Sequence, residues 1–421
     1  MICNPALRYE RRIQLSIPHA TGAEMQYVKE AFASNWLSTV GPNLTALEQG
    51  FSELVGVPAV ALGSGTAGIH LGLKLLNLKP GDEVVTPTLT FVASANPVLY
   101  ERAVPVFVDS ERTSWNLDPE RLAGFLKKRA RVNRLPRALI VVHLYGRSAE
   151  LESILRLCRE YQVPMLEDAA HALGTLYRGR QVGAWGDVGV FSLGGNKVVT
   201  ATAGGILVSG HLGWTARARF LSTQARDPDP DGLNGYFHSE VGYNYRLSNV
   251  LAGIARGQLP VLELRVRQRR TIFEHYWKGF EDLCGIEPQS EPENHPAGPQ
   301  SQHIQEPSSP NDEHVESLQA LHCSERHTRW LSCFLIQEQE FGMSVPELIR
   351  FLDAANVEAR PVWKPMHTQP LYRGYECIGG EVSEDLNRRG ICLPSSSCLT
   401  EVEQRFVIDR VLEAHQLAKP V

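Results

Sequence analysis

The chain has 421 residues, 43% of them hydrophobic and 21% charged, with a formal net charge of −5. That length can bury a large core in more than one domain, and the composition is that of a globular protein. The acidic balance excludes the electrostatic footprint of a nucleic-acid or anionic-membrane binder.

Residues 8–17 read as an extended arm, and Gly22 to Ser34 as an amphipathic helix. Val60-Ala61-Leu62 is a strand that enters the turn Gly63-Ser64-Gly65-Thr66, and a helix continues to about Asn77. Short apolar runs follow at 82–86, 104–108, 138–143, 164–167, 188–192 and 205–208, with helical patterns at 119–129 and 148–161. Short, nearly unbroken apolar strands alternating with helices predict an α/β domain on a mostly parallel sheet.

Asn249 to Phe280 reads as one long helix rich in arginine and leucine. From about residue 287 to 327 the composition turns to Pro, Ser, Gln, Glu and His, with eight acidic residues against the single Arg326, so the rest of the chain is slightly basic. Such a segment buries too little apolar surface to offset its ordering entropy, and we expect a disordered insertion. A strand at 329–336, a helix at 345–355, a strand near 358–361 and a last helix from Glu401 predict a small α+β domain. The expected division is 1–250 for the arm and large domain and 251–421 for the small domain.

Eight scattered cysteines without a CxxC pair argue against a zinc site or a disulfide framework and for free, buried thiols. The histidines of the insertion, His295, His303, His314, His322 and His327, lack ligand spacing and read as solvated, so no metal is expected. There is no apolar leader and no run of membrane-spanning length, which predicts a cytoplasmic protein with no membrane partner.

Chemistry concentrates at three places. Gly63-Ser64-Gly65-Thr66-Ala67 lies between a strand and a helix, where free N–H groups and the helix dipole favour a phosphate. Asp168 ends the run Pro164-Met165-Leu166-Glu167, at the carboxyl end of a strand, where open α/β sheets bind ligands. Lys197 sits in the turn Gly194-Gly195-Asn196-Lys197. Each alone is equally a plain turn, a surface acid or a surface lysine. In this order they are what pyridoxal phosphate needs: a phosphate turn, a carboxylate for the pyridine nitrogen and an amine for the Schiff base. His143 and His171 each read either as a cofactor contact or as a satisfied core histidine.

These residues, with Thr88-Leu89-Thr90-Phe91, His143-Leu144-Tyr145-Gly146 and Gly242-Tyr243-Asn244-Tyr245-Arg246, resemble the DegT/DnrJ/EryC1/StrS family of sugar aminotransferases. The resemblance runs from about Ile13 to the C-terminus, interrupted by the insertion. It implies the aspartate aminotransferase fold (type I), an enzyme, and pyridoxal 5'-phosphate as cofactor. By that resemblance Lys197 is the Schiff-base lysine and proton-transfer base, and Asp168 pairs with the pyridinium. Phe91 stacks on the ring, His171 lies near its face, and Thr66, Ala67 and Ser192 hold the phosphate. Asn244 reaches the phosphate of a neighbouring subunit, which implies a homodimer with a composite site. Arg246 and His367 are substrate contacts.

Within the family, the stretches 16–19, 31–36, 222–226 and 360–367 resemble the UDP-N-acetylbacillosamine subgroup. That implies transfer of an amino group from L-glutamate to C4 of a UDP-linked 4-keto-6-deoxy sugar, for surface glycan or glycoprotein synthesis. A GDP-linked sugar, a 3-keto sugar and a non-catalytic regulatory member of the fold are the alternatives. Lysine at position 197, where a dehydratase branch has histidine, favours transamination.

Overall fold

The computed structural model describes residues 8–233, 235–291 and 325–418. Its strands in chain order are β1 (Ala59–Leu62), β2 (Glu83–Pro87), β3 (Val104–Val108), β4 (Ala138–Val142) and β5 (Met165–Asp168), followed by the short hairpin β6 (Leu176–Tyr177) and β7 (Arg180–Gln181). β8 (Val188–Ser192), β9 (Gly205–Val208), β10 (Ile286–Pro288), β11 (Ser332–Ile336), β12 (Arg360–Pro361), β13 (Cys377–Ile378) and β14 (Gly390–Leu393) complete the set.

Eight of them form the large sheet in the order β1-β9-β8-β5-β4-β2-β3-β13. Only β9 runs antiparallel to its neighbours β1 and β8; the other pairings are parallel. Successive side chains of a strand face opposite ways, and both faces are buried here. Leu139 and Val141 of β4 pack with Leu44, Leu47 and Phe51 of the helix Pro42–Val55. Ile140 and Val142 pack in a second cluster with Ile69 and Leu73 of the helix Gly65–Leu75. This is the α/β, mostly parallel architecture expected from the sequence.

Burial on both faces explains why these strands read as continuous apolar runs. Local chemistry fixes the helix ends. Ser64 caps Gly65–Leu75 by accepting from the Ala67 amide, and Gly56, at φ 78°, closes Pro42–Val55 in the left-handed region. The expected single helix 249–280 is two, Asn249–Gln258 and Leu262–Phe280, joined by a 3₁₀ turn over Leu259–Val261. Pro260 lacks the N–H that would continue the first helix, and its ring clashes with the preceding turn.

A smaller sheet, β10-β11-β14-β12, carries its own core of Phe273, Phe280, Phe334, Phe341 and Leu352. The chain crosses the expected boundary at 250 in both directions. Ile13 of the arm bridges Val357, and β13 returns to pair with β3 at the edge of the large sheet.

The expected insertion, 287–327, is too wide at both ends. β10 includes Glu287 and Pro288, Gln289 is fully buried with its Nε2 donating to the Ser114 carbonyl, and Glu291 pairs with Arg329 at 2.7 Å. On the far side Arg326 pairs with Glu263, and His327 is buried with Nε2 on the Tyr145 carbonyl rather than solvated. Polar residues that find partners can be buried, which composition alone does not reveal. The rest of that segment, including His295, His303, His314 and His322, lies outside the described residues. The thiols of Cys158, Cys333 and Cys392 are free and buried, but Cys284 is exposed. Among the described residues no helix is long and apolar enough to cross a membrane.

Candidate active site

The carboxyl ends of β1, β5 and β8 meet at one edge of the large sheet, where Gly63–Thr66, Asp168 and Ser192 emerge. Glycine is required here by contact. A Cβ on Gly205 would stand 2.5 Å from the Ser64 carbonyl carbon, and one on Gly65 would come within 3.2 Å of the Ser192 Cβ. The turn is thereby seated against β8 and β9. Among the described residues the Thr66 amide and hydroxyl have no hydrogen-bond partner. The Ala67 amide, expected to face a phosphate, donates to Ser64 Oγ at 3.0 Å. Ser192 Oγ accepts from the Gly194 amide.

Asp168 is buried, and its Oδ2 accepts a 2.6 Å hydrogen bond from Ser94, whose own oxygen accepts from Thr90. Oδ1 accepts from the Ala170 amide at 3.1 Å. Burial raises the Asp168 pKa, opposed by these hydrogen bonds and by the charge of Lys197.

Lys197 is partly exposed as a residue, but its amine is desolvated, which lowers its pKa to about 7; Asp168 opposes the shift and Arg269 adds to it. The amine lies 4.0 Å from the centre of the Trp330 ring. His171 stacks on that same indole at 4.5 Å and 12°. Burial and the Lys197 charge hold the His171 pKa well below its ordinary value, and its buried Nδ1 has no partner.

Trp363 completes an aromatic wall, 4.9 Å from His171, 4.8 Å from Tyr145 and 5.6 Å from Phe91. Phe91, 51% exposed, leaves one side open. Sequence reading did not assign Ser94, Trp330 or Arg269 to the site. Ser94 reaches Asp168, Trp330 reaches Lys197 and Asn196, and Arg269 holds the Trp330 carbonyl; these contacts join segments distant in the chain, and no local pattern signals them.

Two residues expected as substrate contacts, Arg246 and His367, are engaged by other parts of the fold, and His143 takes the second of its two readings. Arg246 donates through Nη1 to Glu48 at 2.5 Å and to the Ala61 carbonyl at 2.8 Å, with little exposure, which ties the 242–248 segment to β1. His367 is bonded through Nδ1 to Thr88 and through Nε2 to Glu384, which leaves neither ring nitrogen for a substrate. His143 is a satisfied core histidine: Nδ1 accepts from the Ala149 amide and Nε2 meets Glu167 at 3.0 Å. Asn244 lies exposed, bridged to Thr223.

A desolvated amine beside a buried carboxylate at a strand terminus, below a glycine turn, is cofactor geometry, and comparison with known proteins says which. The DegT/DnrJ/EryC1/StrS aminotransferase family model matches residues 18–320 and 311–412. The chain belongs to that family.

Among its DegT-family relatives, the Bacillus subtilis protein EpsN, named as a pyridoxal phosphate-dependent aminotransferase, is 44% identical over 96% of this chain and 95% of its own. A GDP-perosamine synthase of Caulobacter vibrioides is 32% identical over 96% of this chain and 97% of its own. The solved aminotransferase TlmJ of Streptoalloteichus hindustanus superposes with a TM-score of 0.82 at 27% identity, covering 97% of this chain and all of that one. The protein is therefore a pyridoxal phosphate-dependent aminotransferase. The residues present fit the cofactor. Among the described residues the Lys197 amine has no hydrogen-bond or ion-pair partner and the Thr66 donors are open to a phosphate, and Asp168 can face a pyridine nitrogen.

Proposed function

We propose that the enzyme moves an amino group from L-glutamate to C4 of a nucleotide-linked 4-keto-6-deoxy sugar, with UDP as the nucleotide. The observation that carries the amino-transfer part of the reading is the Lys197 amine seated over the Trp330 ring, with buried Asp168 at the end of β5; desolvation lowers the amine's pKa to about 7. Bound pyridoxal phosphate supplies the carbonyl that takes up the amino group and a ring that spreads negative charge. Lys197 would anchor it and, when released, would take the proton from the glutamate Cα and later deliver one to the sugar C4; a neutral amine can accept that proton near pH 7. Asp168 keeps the pyridine nitrogen protonated. Thr66 and Ser192 hold the phosphate, Ala67 contributing only if its amide leaves Ser64. Phe91 would offer its face to the cofactor ring, and His171, kept neutral by burial and the Lys197 charge, would stand nearby.

The C4 position and the UDP rest on the resemblance of the 16–19, 31–36, 222–226 and 360–367 stretches. A GDP-linked sugar is the second reading, favoured by the relatives named GDP-perosamine synthase. A homodimer would bring Asn244 to the partner copy's phosphate. Its support is the exposure of Asn244 together with apolar Phe32, Trp36, Tyr236 and Val241 at the surface. The setting is cytoplasmic synthesis of an amino sugar for a surface glycan or glycoprotein.

The test is the visible spectrum and product of the purified enzyme with L-glutamate and either UDP- or GDP-linked 4-keto-6-deoxy sugar. Amino sugar formed faster from the UDP substrate supports the reading. A preference for GDP replaces the nucleotide, and no turnover with either removes the 4-keto assignment.

A further inference from the structure

We propose that Trp330 is a positioning residue whose indole face parks the Lys197 amine whenever that amine is not bonded to the cofactor. The inference rests on Lys197 being the cofactor lysine and extends that reading to how the free amine is held.

Among the described residues the Lys197 amine has no hydrogen-bond or ion-pair partner. What lies against it is the Trp330 ring, 4.0 Å from centroid to Nζ. The indole is itself fixed from several sides. Its Nε1 donates to the Asn196 carbonyl at 2.8 Å, the peptide oxygen immediately before Lys197. The Trp330 backbone carbonyl accepts from Arg269 Nη1 at 2.6 Å, and His171 stacks on the ring. The one side chain thus sets both the backbone that carries the lysine and the place where its amine rests.

The choice of an aromatic face has a chemical reason. An amine that must leave the cofactor and return in each half-reaction needs a partner it can abandon. A carboxylate at hydrogen-bond distance would fix it as an ammonium, and loose water would let it wander and charge. A ring face attracts the ammonium through its quadrupole, yet offers no lone pair to lock the amine in one direction. Arg269, fully buried and bonded to the Trp330 and Ser395 carbonyls, adds a cation that disfavours the charged amine. The ring and the arginine act in opposite directions on one group.

The test uses the full-length chain and the variants W330L and W330F. Acetic anhydride labelling of Lys197 is followed by peptide mass spectrometry against pH before cofactor is added. Single-turnover reaction with L-glutamate is followed in the holoenzyme, and borohydride reduction identifies the lysine that carries the cofactor. Losing the ring destabilises the ammonium, so W330L is expected to shift the labelling midpoint down by about half to one pH unit, roughly three- to tenfold at fixed pH. The half-reaction should slow about tenfold with KM little changed. W330F keeps a face and loses the Nε1–H, and should stay within about threefold of wild type.

An unmoved midpoint in W330L overturns the proposal, as does a W330F midpoint displaced as far as that of W330L, which would assign the effect to the Asn196 hydrogen bond. Should W330L not fold, W330F is judged against wild type alone, and a midpoint displaced by more than about half a pH unit, roughly threefold, overturns the proposal. Cofactor trapped on a different lysine overturns the reading of Lys197 itself; cofactor on Lys197 with an unmoved midpoint overturns only the role of Trp330.

Discussion

Glu167 and Asp168 are adjacent on β5, and the strand turns them to opposite faces of the sheet. Glu167 is saturated. It accepts from the amides of Gly183, Trp185 and Gly186 and meets His143, so that although burial pushes its pKa up, these partners carry it below its ordinary value. Asp168 has Ser94 and one amide, and burial wins. The histidines divide in the same way: both ring nitrogens of His143 are engaged, whereas His171 has a buried Nδ1 with nothing to bond. One face of the strand end is finished as structure, and the other is left short of partners for a ligand to supply.

That contrast predicts that substitutions on the two faces fail in different ways. K197A should fold normally yet lose turnover by about 10³-fold or more, together with covalent retention of the cofactor; wild-type turnover in this variant would falsify the assignment. On the other face E167A should cost about 3–5 kcal/mol of stability, because it leaves His143 and three amides without their acceptor, visible as a lower urea midpoint. Stability from Glu167 is present above its unfolded value of 4.5 and is lost as pH falls through its lower folded value. Wild type should therefore lose its advantage over E167A in acid, and a constant difference down to low pH would contradict the saturated geometry.

D168N should retain the fold and lose about 10²-fold in kcat, read by single-turnover absorbance. S94A is the smallest break. It removes one hydrogen bond to a charged group, worth about 1.5–3 kcal/mol, and raises the Asp168 pKa further, so cofactor affinity should fall most at low pH. The glutamate half-reaction of wild type should itself rise as pH climbs through about 7, where the Lys197 amine becomes neutral. A flat profile across that range would separate Lys197 from the proton transfer.

Much of this was legible because fully buried strands announce themselves. The runs at 104–108, 188–192 and 205–208 match β3, β8 and β9 to the residue. The helix Val92–Tyr100 escaped notice because Pro97 interrupts it, and Glu381–Arg389 because only Ser383 and Leu386 of it are buried. At the site, the acid, lysine and glycine turn carry their chemistry in local pattern. Trp330 and Ser94 do not, since their meaning lies in contacts with Asn196 and Asp168 across the fold. His367 misled for the converse reason. Motif resemblance gave it a substrate role, while Thr88 and Glu384, which hold both its ring nitrogens, lie in other parts of the chain.

The return of Cys377–Ile378 to the edge of the large sheet beside β3 bears on the order of assembly. A ribosome delivers the N-terminal part of the chain first, yet the last strand of that sheet arrives only when nearly the whole polypeptide has been made. Until then β3 presents an open edge of backbone donors and acceptors to whatever is nearby. Chains released early, or cut before residue 377, should be prone to clump through that edge, although every residue of the cofactor turn, Asp168 and Lys197 is already in hand.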